Sequence, residues 1–339
     1  MGIRVGLMGL GRIGRNLFRI LYGRTDVELA LVSDIAEPKS LEYLLRFDTI
    51  LGRFPDELRL REGSFYVAGR RIPLHVETAP GDVPWDDHGV DIVVEATARP
   101  RGRAELERHL ARGVHGVILC APPRERPDAT IVIGVNDDRL RPSDRIVSNG
   151  SCTAHCAAPV MRILHDAFGI ERAFLNTVHA YTNQQRLADV PAEDLRSGRA
   201  AAENIIPQTT NAAQVIEELI PELAGRITAL AMNVPVPNGS VVDLVCWHER
   251  PVTRTAIHEV VRSAAATARL RSILDFEEDP IVSADIARSP YSGTFDAEAT
   301  MVLGERVSKT LTWYDNGWGY AHRVVDLIQR MAALRGGAS

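Results

Sequence analysis

Cys152 lies in the run Ser148-Asn149-Gly150-Ser151-Cys152-Thr153, where a β-rich stretch hands over to a helical one. A thiol at a helix N-terminus meets the positive end of the macrodipole, which favours the nucleophilic thiolate. Cys156 follows one turn later, deeper in the helix, where the dipole helps less. Cys156, Cys120 and Cys246 read as structural thiols. A thiolate nucleophile needs a base or cationic partner, and that partner can be distant in sequence. Of ten histidines, His179 is the best placed, closing the β-rich run Phe174–Val178 before a long loop. By spacing alone, a catalytic base and a satisfied structural histidine both stay open.

A second constellation is Gly9-Leu10-Gly11-Arg12-Ile13-Gly14, between the first strand-like run and the first helical one. Gly9 permits a tight turn, Gly11 lets backbone approach a pyrophosphate, and Gly14 lets helix and strand pack closely. The helix N-terminus at Arg12 and Ile13 then faces the negative charge. Asp34 closes the next strand, where an acid can bind the adenosine ribose hydroxyls. Its carboxylate would repel a 2′-phosphate, so NAD is expected rather than NADP. Thr97 and Ala98, at the end of another strand, are placed to line the same crevice. No metal is expected.

These groups need a frame. In the first half, β-rich runs alternate with helical stretches, which predicts a parallel sheet with helices on its faces. Strands are expected at Ile3–Met8, Val27–Ser33, Ile92–Glu95, Gly116–Cys120, Ala129–Val135 and Arg145–Ser148. Helices are expected at Arg12–Tyr22 and Arg103–Arg112. Phe54–Val76 reads instead as short antiparallel strands. After Asn149 a helix is predicted over Cys152–Phe168, with strands at Arg172–His179, Ile227–Val234, Val241–Trp247 and Ser308–Tyr314. Further helices are predicted at Asn211–Leu219, Thr255–Ala266 and Gly317–Ala333. The long stretch from His179 to Thr210 has weak periodicity, and a loop of that length is more often functional than idle.

The predicted class is therefore α/β: a doubly wound parallel-sheet dinucleotide-binding domain plus an α+β catalytic domain with a mixed sheet. The first spans 1–150, completed by the C-terminal helix 317–335, and the second spans 151–316. Of the 339 residues, 45% are hydrophobic and 24% charged, so disorder is not the default. A net charge of -5 exerts no strong pull on nucleic acid or an anionic membrane. No apolar run approaches the ~20 residues needed to cross a bilayer. The N-terminal residues lack the layout of a secretory signal, and four cysteines make no disulfide framework. A cytoplasmic enzyme is expected.

With these residues in hand, the chain resembles the glyceraldehyde-3-phosphate dehydrogenase family over nearly its whole length. The resemblance is carried by GLGRIGR (9–15), SNGSCT (148–153), HAYT (179–182), GRAAAENIIPQTT (198–210), VPVPNGSVVDL (234–244) and WYDNGWGY (313–320), in matching order and separation. It implies that Cys152 attacks the aldehyde carbonyl to form a thiohemiacetal. His179 takes the proton and polarises the oxyanion, and hydride passes to NAD. It implies that Asn316 holds the nicotinamide carboxamide and that inorganic phosphate cleaves the thioester. The implied reaction, a step of glycolysis, converts glyceraldehyde 3-phosphate to 1,3-bisphosphoglycerate. Substrate contacts fall on Ser151, Thr153, Thr182, Thr210, Asn211 and Asn233. Pro191 matches NAD-preferring members, and a homotetramer is implied.

The departures from the family pattern concern anions. Asn233 stands where the family has an arginine serving two anion sites, and Ser197 where many members have a second. Gln184 and Asn211 replace the family's threonine and glycine. Losing one charge-assisted hydrogen bond, worth roughly 1.5–3 kcal/mol, costs on the order of ten- to a hundredfold in phosphate affinity. Arg186, Arg196 and Arg199 of the long loop are the candidate replacements. Two other readings stay open. One keeps the chemistry on a different aldehyde (erythrose 4-phosphate, a phosphonate or an unphosphorylated one) or with water as acyl acceptor. The other is a non-enzymatic NAD-binding protein.

Overall fold

The computed structural model describes residues 2–77 and 79–336. The chain divides into two compact units, Met1–Ser151 with Ala321–Ser339, and Cys152–Tyr320.

In the first unit the strands Ile92–Glu95 and Gly116–Leu119 are apolar for most of their length and wholly buried, the signature of a sheet covered on both faces. Among the described residues the sheet has nine strands. Their order is Ala129–Thr130, Ile146–Ser148, Gly116–Leu119, Ile92–Glu95, Ile3–Met8, Val27–Asp34, Arg70–Val76, Ser64–Val67 and Leu58–Arg61. Ile3–Met8 pairs in parallel with Val27–Asp34 on one side and Ile92–Glu95 on the other. The chain thus winds outward in both directions from Ile3–Met8. The turns leaving the carboxyl ends of Ile3–Met8 and Ile92–Glu95 open a crevice at this switch point. The antiparallel trio Leu58–Arg61, Ser64–Val67 and Arg70–Val76 forms as expected.

The second unit carries a seven-stranded mixed sheet among the described residues. Its order is Ile206–Gln208, Ile227–Val234, Arg172–Ala180, Ser240–Trp247, Val307–Tyr314, Gly293–Leu303 and Leu274–Glu277. Helix Cys152–Phe168 lies against Ser240–Trp247 and Val307–Tyr314, and against the helices Ala212–Leu219 and Arg254–Ala265. Side chains alternate on Arg172–Ala180: Ala173, Leu175 and Thr177 are buried, while Arg172 and Phe174 are exposed.

Some expected elements differ. The strand predicted over Ala129–Val135 ends at Thr130. Asn136 explains this: its Oδ1 accepts the Val132 N–H at 2.8 Å, and its Nδ2 donates to the Thr130 carbonyl at 2.9 Å. This side chain competes for backbone groups that a longer strand would need. Helix Pro38–Arg46 is absent from the sequence reading although its signals are present, with proline at the start and Glu37 accepting the Ser40 N–H at 2.8 Å. The eleven-residue strand Gly293–Leu303 also went unpredicted, because its buried positions include Thr294, Asp296 and Thr300.

Candidate active site

Cys152 is the first residue of helix Cys152–Phe168, and His179 lies one residue from the end of strand Arg172–Ala180. The fold brings the Cys152 Sγ to 3.5 Å from the His179 Nε2. The other ring nitrogen, Nδ1, sits 2.6 Å from the Ala180 carbonyl oxygen. A carbonyl only accepts, so Nδ1 carries a proton and donates. In the neutral ring Nε2 therefore presents a lone pair to the sulfur, the tautomer a base needs. The remaining thiols of this unit are different. Cys156 and Cys246 are fully buried, and burial pushes the Cys246 thiol up to about 12. Burial also holds the Cys156 thiol well above its ordinary range. Neither is available as a thiolate.

A residue that sequence reasoning missed orients this pair. The Tyr314 hydroxyl lies 3.0 Å from the Thr153 Oγ1 and 2.7 Å from the Thr177 Oγ1. Its ring meets the His179 imidazole edge-on, with centroids 5.9 Å apart. It thus ties the first turn of helix Cys152–Phe168 to the strand that carries His179. Burial raises the Tyr314 phenol well above its usual range, with the Cys152 thiolate adding to the effect, so it stays a neutral strut. The available signal was the alternation along Val307–Tyr314, which buries Ser308, Thr310, Thr312 and Tyr314 on one face.

In the first unit the glycine turn is built as a cradle. Gly9 has φ +99°, and a Cβ there would meet the Thr97 backbone at 2.8 Å. A Cβ on Gly14 would stand 1.9 Å from the Gly9 carbonyl oxygen, whereas one on Gly11 would meet nothing within 4 Å. Of the three glycines of the turn, Gly11 alone has open space before it. Arg12 and Ile13 open the helix Arg12–Leu21. Asp34 stitches the turn in place: its Oδ2 accepts the Leu10 N–H at 2.6 Å and its Oδ1 the Ala36 N–H at 2.8 Å. Each oxygen keeps a second lone pair for a ribose hydroxyl. These residues fit NAD. Gly14→Ala is expected to abolish measurable NAD binding and to cost about 1–3 kcal/mol of stability, because two backbone segments must separate. Calorimetric titration with NAD checks it.

Thr97 is tied to the end of strand Ile92–Glu95. Its hydroxyl and its N–H both donate to the Glu95 carboxylate, so the hydroxyl holds the loop. Glu95 also accepts from the Arg101 Nε at 3.1 Å, and His109 lies 3.7 Å away. The Trp85 indole N–H donates to the His109 Nδ1 at 3.0 Å. Burial pulls the Glu95 carboxyl upward, but His109, Thr97 and the Arg101 charge together hold it below its usual range. Burial lowers the His109 pKa, as it does that of His248 in the second unit. As pH falls below about 6.5, the unfolded chain binds protons at these histidines that the fold refuses, so stability drops. Glu95 acts in the same direction at lower pH, its contribution being lost as pH falls through its depressed folded value. We expect Tm to fall steadily between about pH 7 and pH 5, and a His109→Gln, His248→Gln variant to flatten that fall. Calorimetric scans across the range measure it.

Comparison with known proteins decides the family. Residues 3–102 match the family domain described as "Glyceraldehyde 3-phosphate dehydrogenase, NAD binding domain", and residues 151–316 its C-terminal domain. The chain is 46% identical to the glyceraldehyde-3-phosphate dehydrogenase of Streptomyces coelicolor over 329 residues, 96% of this chain and 98% of that protein. It is 44% identical to that of Geobacillus stearothermophilus over 334 residues, 98% of this chain and 99% of that protein. It belongs to the glyceraldehyde-3-phosphate dehydrogenase family.

Within that family the residues expected at the anion sites have particular surroundings. Asn233 is nine-tenths buried and is the register partner of His179 across the parallel strand pair, on the same face of the sheet. Among the described residues its side-chain amide has no hydrogen-bond partner. Ser197 is held by Asp194, to which it donates at 2.5 Å, and accepts from the Gln208 Nε2 at 2.8 Å. Arg199 pairs with Asp189 at 2.9 Å on the surface. Arg186 and Arg196 are exposed and form no ion pair among the described residues. Thr182 donates to the Gln185 Oε1 at 2.9 Å, and the Thr210 hydroxyl accepts the Ala212 N–H at 3.2 Å. Asn211 precedes helix Ala212–Leu219 without capping it, and Ser151 precedes Cys152. Asn316 is buried, and among the described residues its Oδ1 has no hydrogen-bond partner. An orphaned buried acceptor costs about 1–3 kcal/mol, and the amide N–H of a nicotinamide carboxamide is the donor that would satisfy it.

Proposed function

We propose that the chain oxidises glyceraldehyde 3-phosphate with NAD and inorganic phosphate to 1,3-bisphosphoglycerate, through a thioester on Cys152. One observation carries the reading: a sulfur at a helix N-terminus 3.5 Å from an imidazole nitrogen whose other nitrogen is tied to a carbonyl.

The His179 Nε2 accepts the Cys152 proton, and the sulfur attacks the aldehyde carbon. As the C–S bond forms, the carbonyl π pair moves to oxygen, which takes the proton back from Nε2. The N-terminus of helix Cys152–Phe168 offers partial positive charge to that oxygen while it is anionic. His179 then removes the hydroxyl proton as the carbon gives up its hydrogen with two electrons, and the C=O bond reforms as the thioester. NAD, when bound, supplies the hydride acceptor. A phosphate oxygen finally attacks the thioester carbon and the Cys152 thiolate leaves. Gly9, Gly11, Arg12, Ile13 and Gly14 would hold the pyrophosphate, Asp34 the ribose, and Asn316 the carboxamide. Thr97 would keep the adjoining loop in place. Ser151, Thr153, Thr182, Thr210, Asn211 and Asn233 would surround the substrate, the last as a neutral amide.

A homotetramer belongs to the same reading. Phe174, Met301 and Leu303 stand exposed on strands of the catalytic sheet, and in the long loop Leu187 and Leu195 are 91% and 83% exposed. Apolar surface of this extent is what a subunit interface covers. The reading places the enzyme in the cytoplasm, where its free cysteines stay reduced. No helix among the described residues is long and apolar enough to cross a membrane.

The test mixes the purified protein with NAD, phosphate and a panel of aldehydes and follows NADH absorbance. Phosphate-dependent turnover that is fastest with glyceraldehyde 3-phosphate supports the proposal. Faster turnover of an unphosphorylated aldehyde, or turnover indifferent to phosphate, overturns the substrate assignment. No turnover with any aldehyde overturns the enzyme.

A further inference from the structure

Asp315 is a buried carboxylate that the reaction does not use. Its four partners among the described residues are all N–H donors. Its Oδ1 accepts from the backbone of Gly317 at 2.8 Å and of Trp318 at 2.7 Å. Its Oδ2 accepts from the Asn238 Nδ2 at 2.7 Å and from the Arg288 backbone at 2.9 Å. Three separate segments thus converge on one side chain 3% exposed. Arg288 holds a left-handed φ of +64°, a conformation that persists only where its surroundings over-determine it. The neighbouring loops are packed without slack. A Cβ on Gly239 would stand 2.1 Å from the Ser283 carbonyl oxygen, and one on Gly319 2.2 Å from that of Tyr291.

The residue between Asp315 and its backbone partners Gly317 and Trp318 is Asn316, whose buried Oδ1 has no partner among the described residues. A side chain with a free χ1 would swing such an oxygen toward water. Here the turn that carries it is bound on both sides. We propose that Asp315 is a positioning residue for the nicotinamide end of the cofactor: it clamps the 315–318 turn so that the Asn316 Oδ1 stays dry and aimed at a carboxamide N–H. This rests on the reading that Asn316 holds the carboxamide. Only a carboxylate can do the clamping, because both oxygens must accept. An amide would turn one of them into a donor facing donors.

The experiment measures calorimetric affinities for NAD and for ADP-ribose, which lacks the nicotinamide, on the full-length protein. Asp315→Asn is expected to weaken NAD about tenfold or more and to leave ADP-ribose within about twofold. The milder Asn238→Ala, which removes one bond, should weaken NAD about threefold with the same selectivity, and it serves if Asp315→Asn fails to fold. In an Asn316→Ala background, Asp315→Asn should add little further loss. Equal weakening of both ligands, or an undiminished loss in that background, makes Asp315 a fold clamp only and overturns the proposal. If Asn316→Ala itself leaves NAD affinity unchanged, the carboxamide reading fails instead. The rate of Cys152 alkylation in the absence of NAD, unchanged across the variants, reports that the site is folded.

Discussion

Replacing Cys152 by serine is expected to lower turnover by about 10⁴-fold or more while leaving the fold in place. The two side chains have nearly the same shape, so nothing in the packing of helix Cys152–Phe168 should change. The chemistry does. A neutral imidazole at 3.5 Å can take a proton from a thiol, but it leaves a hydroxyl essentially protonated. An ester formed at serine would also be a poorer acyl donor to phosphate than a thioester. Single-turnover NADH formation measures the loss. The companion measurement is alkylation of the native protein: Cys152 should react while Cys156 and Cys246, fully buried and with raised pKa values, stay unmodified. Undiminished activity in Cys152→Ser would falsify the mechanism outright.

His179→Asn is expected to cost about 10²–10⁴-fold in kcat, the usual worth of a positioned general base. The amide can still reach the Ala180 carbonyl but cannot hold a proton. The thiol proton then has no acceptor at 3.5 Å, so the loss should fall on kcat and leave NAD affinity in place. Tyr314 supplies the control for geometry as against chemistry. Tyr314→Phe keeps the ring against His179 but drops the bonds to Thr153 and Thr177. A loss limited to stability would separate the strut from the base. A His179→Asn enzyme with the wild-type kcat would remove His179 from the proton path.

The first half of the fold was legible because its signals are local. Ile3–Met8, the glycine turn and helix Arg12–Leu21 follow one another within twenty residues, and each glycine's use can be argued from its place in the turn. Fold class and family were likewise read from the chain alone. What escaped were features in which a polar side chain takes over backbone groups. Asn136 ends a strand that the apolar pattern would have continued. Strand Gly293–Leu303 buries polar residues, so its pattern does not announce a buried face.

The candidate site divides in the same way. Residue types and order along the chain determined that a thiol at a helix start, a strand-end imidazole and a dinucleotide turn exist in this protein, since helix ends and turns form from neighbours in sequence. Only the tertiary structure decided which partner each long or polar side chain takes. It set the Cys152 sulfur against His179, spent the Thr97 hydroxyl on Glu95, and committed Arg199 to Asp189 and Ser197 to Asp194. It also hung Tyr314 between two threonines and gathered four N–H groups onto Asp315. Such choices depend on separations of about 3 Å set by the path of the folded backbone, whether the partners are two residues apart or far along the chain. No periodicity or motif encodes them, because they are settled by packing.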